Sequence, residues 1–170
     1  MLKKLFIFIF LLSVAALPSF AGTLNHSGRA GIYTPTVAGA SPSLMYGLGA
    51  DYTLNDNLSV RAAVETTSYS AGGNNYTLTP ITVDLIYRQT FVGMVTPYVG
   101  AGLGYYGSTV NGNTKSTTGA QAEAGLSFSM GGFTAGLELR YILPDASNSA
   151  SGAFTTNGYA TGGFSQSFNL

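Results

Sequence analysis

The stretch "PITVDLIYR", residues 80–88, reads as a strand that carries two charges among apolar residues. Ile81, Val83, Leu85 and Tyr87 alternate with Thr82, Asp84, Ile86 and Arg88. Successive side chains of a strand point to opposite faces, so Asp84 and Arg88 share one face. A lone carboxylate buried among apolar groups is costly unless something pairs with it. Which of the two faces is enclosed therefore decides what kind of protein this is.

The same period of two recurs along the chain. Residues 44–54 set Leu44, Tyr46, Leu48, Ala50, Tyr52 and Leu54 against Met45, Gly47, Gly49, Asp51 and Thr53. Residues 58–67, 97–105, 120–130 and 133–143 alternate in the same way, and two weaker strands are expected at about 27–34 and 158–170. That makes eight strands. Short connections, "NDN" at 55–57, residues 89–96 and "GG" at 131–132, alternate with longer polar ones at 35–42, 70–75, 107–117 and 144–157. Short turns at one end and longer polar loops at the other are the plan of a barrel that crosses an outer membrane. About ten alternating residues per strand match the roughly 9–11 that cross a bilayer at a tilt.

The N-terminus fits export. Lys3 and Lys4 precede an apolar run from Leu5 to Leu17 and the small-residue ending Ser19-Phe20-Ala21, the layout of a signal peptide over 1–21. That run is shorter than the roughly 20 residues of a spanning helix. The remaining domain, 22–170, keeps five basic and seven acidic residues, which excludes nucleic acid as a partner. Without cysteine there is no disulfide framework. Charged residues are 8% of the chain, against about 25% in ordinary soluble domains.

The charge census orients the faces. Apart from Asp56, Lys115 and Asp145 in connections, every charge of 22–170 falls on the polar parity of a strand: Arg29, Asp51, Arg61, Glu65, Asp84, Arg88, Glu123, Glu138 and Arg140. A water-facing surface would carry lysine in quantity, and no strand has one. Arginine is the residue suited to close carboxylate pairing in enclosed sites. The polar parity is also rich in glycine, as the inside of a narrow barrel requires. The charges are therefore expected inside and the apolar parity in lipid. Tyr52, Tyr87, Phe128 and Phe133 at the short-turn ends, and Tyr46, Tyr105 and Tyr141 at the other, are expected to form the two interfacial belts.

Turn lengths give the register. A two-residue turn at 131–132 pairs Met130 with Phe133 and sets Glu123 opposite Arg140. A three-residue turn at 55–57 sets Asp51 opposite Arg61, which can also reach Asp84. An interior network is expected from these pairs, joined by Glu65, Arg88 and Glu138.

At "TPITVDLIYR" (79–88) and "TPYVGAGLGY" (96–105) the chain resembles the small outer-membrane β-barrels of Gram-negative bacteria, a group spanning the OmpA-type transmembrane domain, the opacity-type and the OmpW-type barrels. The resemblance covers 22–170 and rests on spaced glycines and aromatics. It implies an all-β, eight-stranded antiparallel up-and-down transmembrane barrel, with outer-membrane lipid and the barrel assembly machinery as partners. The family pattern ends in Phe or Trp, whereas this chain ends in Leu170 with Phe168 two residues earlier.

No motif points to chemistry. "GLGYYG", Gly102 to Gly107, matches a dinucleotide fingerprint but is followed by a loop-like stretch where a helix is required. His26, the single histidine, is expected before the first strand at the short-turn end, out of reach of a serine nucleophile. No cofactor, metal site or catalytic group is expected. The sequence supports a non-enzymatic scaffold that presents the connections 35–42, 70–75, 107–117 and 144–157 to an external ligand. Behind it stand a narrow passage for small solutes or ions and, last, a barrel enzyme acting on lipid. Eight strands leave room for side chains alone, so a wide pore is excluded.

Overall fold

The computed structural model describes residues 22–36, 38–89, 94–130, 133–147, 153–162 and 165–168. The expected signal peptide, the "GG" turn at 131–132 and Leu170 lie outside these residues. The fold is all-β and antiparallel, with β1 (Gly22–Pro35), β2 (Ser43–Thr53), β3 (Leu58–Ala71), β4 (Asn74–Arg88), β5 (Val95–Val110), β6 (Asn113–Met130), β7 (Phe133–Leu143), β8 (Ala153–Gly162) and β9 (Ser165–Phe168). Consecutive strands pair from β1 to β8, and β1 also receives β8 and β9 on its other edge. β9 pairs with β1 two residues out of step with β8.

Both registers counted from turns are present: Asp51 lies opposite Arg61, and Glu123 opposite Arg140. The 55–57 turn is tied by the Asn55 side chain, whose Oδ1 accepts from the backbone N–H of Asn57 and Leu58.

The long connections differ from expectation. Residues 70–75 and 107–117 are not loops; strands run on to two-residue turns at Gly72-Gly73 and Asn111-Gly112. All four turn residues have positive φ, at 56°, 79°, 47° and 86°, the backbone hand that matches the twist of a tight hairpin. The flanking "SYSA", "NNYT", "GSTV" and "NTKS" are polar on both faces because they extend past the apolar band, so period two fades although the ladder continues. β1 likewise begins at Gly22 rather than near 27, placing His26 inside the strand, and β8 begins at Ala153 rather than near 158.

The parities separate as a lipid-embedded barrel requires. Leu48, Val83, Leu85, Val99, Leu103, Leu126, Leu137 and Leu139 stand exposed on the outside, while the charged parity is buried. Leu103, at 71%, shows how fully the apolar face is turned out. Tyr46, Tyr87, Phe133 and Tyr141 are exposed as belt residues should be. Tyr52 is not: it is 2% exposed, its ring lying where a Cβ on Gly22 would sit at 2.6 Å.

Candidate functional site

The interior holds the candidate site, and its charged side chains enter from six strands. β1 supplies Arg29, β2 Asp51, β3 Arg61 and Glu65, β4 Asp84 and Arg88, β6 Glu123, and β7 Glu138 and Arg140. Glu138 is the hub. Its Oε1 accepts from Arg29 Nη2 at 2.5 Å, and its Oε2 from Arg61 Nη1 at 2.7 Å and Tyr98 Oη at 2.9 Å. Glu65 bridges Arg29, at 3.2 Å, and Arg140, at 2.6 Å. Arg61 also reaches Glu123 at 2.8 Å and Asp51 at 3.1 Å. Arg88, nearest the short-turn end, donates to Asp51 Oδ1 at 2.9 Å and to Ser59 Oγ. The ring of Tyr98 lies beneath both Arg61 and Arg88, at 5.4 and 5.9 Å.

Strand register and side-chain pairing part company here. Glu123 and Arg140 are cross-strand neighbours, yet Arg140 pairs with Glu65 and, at 3.7 Å, Glu138, whereas Glu123 pairs with Arg61. A guanidinium on a long stem spans a narrow lumen, so contacts across it compete with contacts along the wall. Asp84 is the residue the network leaves aside. It faces Arg61 in the ladder but accepts from Gln121 Nε2, at 2.7 Å to each oxygen.

Glycine makes these approaches possible. A Cβ on Gly102 would overlap Asp84 Oδ1, and one on Gly100 would meet Glu123 Cγ at 3.0 Å. The three inward glycines Gly100, Gly102 and Gly104 clear β5 so that side chains of β4 and β6 meet across it. "GLGYYG" thus lies within β5, and the described residues contain no helix for it to open.

Above the ionic layer, toward the hairpin end, lies a second one that the charge pattern did not announce. Tyr33, Met45, Leu78, Tyr106, Ile142 and Ala153 form a buried apolar cluster inside the barrel. Arg140 Nη2 touches the sulfur of Met45 at 3.9 Å where the layers meet. Ile86 and Tyr98 form a smaller cluster toward the other end. The signal was present: large apolar residues on the parity that otherwise carries Gly, Ser, Thr and charge. At the short-turn end a vestibule of about 300 Å³ opens, lined by Asp51, Asn55, Asn57, Arg88, Ser127 and Thr134 among others, with the Asp51–Arg88 pair in its wall.

His26 is exposed on the outer parity, opposite Ala50. No group of three His, Cys, Asp or Glu converges to hold a metal ion among the described residues.

No family model and no curated protein matches the sequence. Solved structures do match the fold. Neisserial surface protein A is 19% identical with a TM-score of 0.67, covering 84% of this chain and 99% of that one. The N-terminal β-barrel domain of Pseudomonas aeruginosa OprF is 20% identical, TM-score 0.58, covering 85% and 99%. Ail, the attachment invasion locus protein of Yersinia pestis, is 16% identical, TM-score 0.58, covering 86% and 99%. The fold also carries catalysis in one neighbour, the outer membrane enzyme PagL. With its apolar parity turned outward and its charges enclosed, the chain has the fold of the small outer-membrane β-barrels of Gram-negative bacteria.

Proposed function

We propose that this chain is a sealed, non-enzymatic barrel of the outer membrane whose working surface is its projecting hairpins. Counting β8 and β9 as two pieces of one traverse along β1 gives eight strands, and residues 1–21 direct export and are removed. The observation that carries the reading is the filled lumen: a buried Arg–carboxylate network capped by Tyr33, Met45, Leu78, Tyr106 and Ile142. An ion entering from the vestibule would have to break charge-assisted hydrogen bonds and then cross an apolar layer.

The β3–β4 and β5–β6 hairpins support the presentation role. Hydroxyl and amide pairs brace them: Ser68–Thr77 at 3.0 Å, Ser70–Asn75 at 2.8 Å, Thr109–Thr114 at 2.9 Å and Asn111–Asn74 at 2.8 Å. Ail has been crystallised with a heparin analogue, sucrose octasulfate. Here Lys115 is the one cation among the described residues of the projecting segments, which favours an uncharged polar ligand over a polyanion. Glycan-array binding by the barrel in nanodiscs tests this. Signals on neutral glycans that vanish when 109–114 is replaced by a short Gly-Ser turn support the reading. Binding confined to sulfated glycans, or unchanged by the replacement, overturns it.

A further inference from the structure

The outer wall of the barrel is not evenly filled. Inside, glycine clears a path for side chains, and a Cβ on Gly102 or Gly104 would collide with a neighbour. Gly28, on the outer parity of β1, is different: a Cβ there would meet nothing within 4 Å, and its φ is not positive. Neither a close contact nor the backbone hand requires glycine at that position. Gly28 and Ala30 instead line a groove of about 850 Å³ on the outside of β1 to β4. That volume falls within the roughly 300–1,000 Å³ of small-molecule sites.

The lining changes character along the strands. Nearer the middle of the apolar band it is Gly28, Leu48 and Val64, a row of ladder neighbours across β1, β2 and β3. The next row toward the hairpins is Ala30, the belt residue Tyr46 and Thr66. Thr79 continues that second row on β4, two residues beyond Ile81, which faces Val64. Arg29 and Glu65 also border the groove, but their side chains are buried in the lumen against each other. The groove is therefore apolar toward the midplane and carries hydroxyls at the level of the tyrosine belt.

That gradient is the one a membrane lipid presents, with acyl chains below and ester oxygens at the interface. The other occupant available in a bilayer is protein. A second copy would offer a convex barrel wall, which meets a convex neighbour along a line and leaves the hollow over Gly28 unfilled. We propose that the groove holds one ester-linked lipid of the hairpin-side leaflet. Its acyl chain lies over Gly28, Leu48 and Val64, and its ester oxygens accept from the hydroxyls of Thr66 and Thr79. The site fixes a lipid to the wall, neither opening the barrel nor involving the hairpin tips, so it goes beyond the function proposed above and does not rest on it.

The test uses the full barrel in nanodiscs of palmitoyl-oleoyl phosphatidylethanolamine and phosphatidylglycerol, released and delipidated stepwise in detergent. Native mass spectrometry then reads the ratio of lipid-bound to lipid-free barrel. The parent chain should keep one lipid after the rest are stripped. Gly28→Leu, whose side chain enters the open space, should lose it. Thr66→Val, which keeps its shape and removes one hydroxyl, should lower the ratio roughly two- to tenfold. Ala122→Leu, on the exposed outer face of β6, should leave the ratio unchanged. A parent chain stripped of all lipid overturns the proposal, as does equal retention by Gly28→Leu or Thr66→Val. A parent dimer that Gly28→Leu dissociates gives the groove to a second copy and overturns it too. Should Gly28→Leu fail to fold, the parent chain and Thr66→Val decide the matter.

Discussion

The separation between ladder neighbours and ion-pair partners can be measured by comparing Arg140 with Glu65 and with Glu123. Arg140 Nη2 lies 2.6 Å from Glu65 Oε2, whereas Glu123, directly across the ladder, is bound to Arg61 instead. At an effective dielectric of about 20, a 2.6 Å contact has a gross attraction of about 6 kcal/mol, much of it cancelled by desolvation. Arg140→Met strands Glu65 with the longer Arg29 contact and removes a cation from Glu138, so it should cost about 3–5 kcal/mol. Adding Glu65→Gln should recover about 1–3 kcal/mol of that, whereas adding Glu123→Gln should recover less than about 0.5 kcal/mol. Urea titrations in lipid vesicles, read by far-UV circular dichroism, give both cycles; the chain has no tryptophan to report by fluorescence. Stronger coupling to Glu123 than to Glu65 would show that pairing follows the wall, and the network drawn across the lumen would be wrong.

Four further outcomes follow from particular contacts. Leu137→Arg, at an exposed apolar position, should cost about 2–4 kcal/mol of folding free energy in bilayers, while Ser127→Asn on the inward face should cost less than about 1 kcal/mol; the same vesicle titration compares them. Gly102→Ala should destabilise by about 1–3 kcal/mol, because the new methyl overlaps Asp84 Oδ1, and an upfield or downfield displacement of the Gln121 side-chain amide resonances should accompany it. Gly112→Val, at φ +86°, should slow or loosen the β5–β6 hairpin tip without unfolding the barrel, visible as faster amide exchange near 108–116. Asp145 is held below the ordinary aspartate range by hydrogen bonds from the Ser147 hydroxyl and N–H. Its turn is thus intact above that range and lost as pH falls through the lowered value, which carbon-detected NMR titration of Asp145 reads.

What could be read from the sequence was whatever period two records. Asp84 and Arg88 were assignable to the inside because every strand charge shares their parity, and two hairpin registers followed from turn length. Period two records which wall a side chain leaves, not how far it reaches, so the Arg140–Glu65 and Arg61–Glu123 contacts could not be counted from turns. Strand ends were hidden for a related reason. Alternation reports the contrast between lipid and lumen, and it disappears where β3 to β6 rise past the apolar band with polar residues on both faces. The apolar cap is only half legible: Met45 and Ile142 stand on the inward parity of expected strands, whereas Leu78 and Tyr106 lie beyond the expected ends of β4 and β5.

A sealed barrel requires the face carrying Asp84 to be inside and the face carrying Leu85 to be in lipid. The chain has no cysteine, so single cysteines at 81 to 87 can each carry a nitroxide without background. Accessibility to O₂ against a water-soluble nickel chelate, measured in bilayers, reads the environment of each position. The account predicts high O₂ accessibility at 81, 83, 85 and 87 and low accessibility to both reagents at 82, 84 and 86. O₂ accessibility that peaks at 82, 84 and 86 would put the charges in lipid, and strong nickel accessibility at those positions would fill the lumen with water; either result contradicts the sealed barrel.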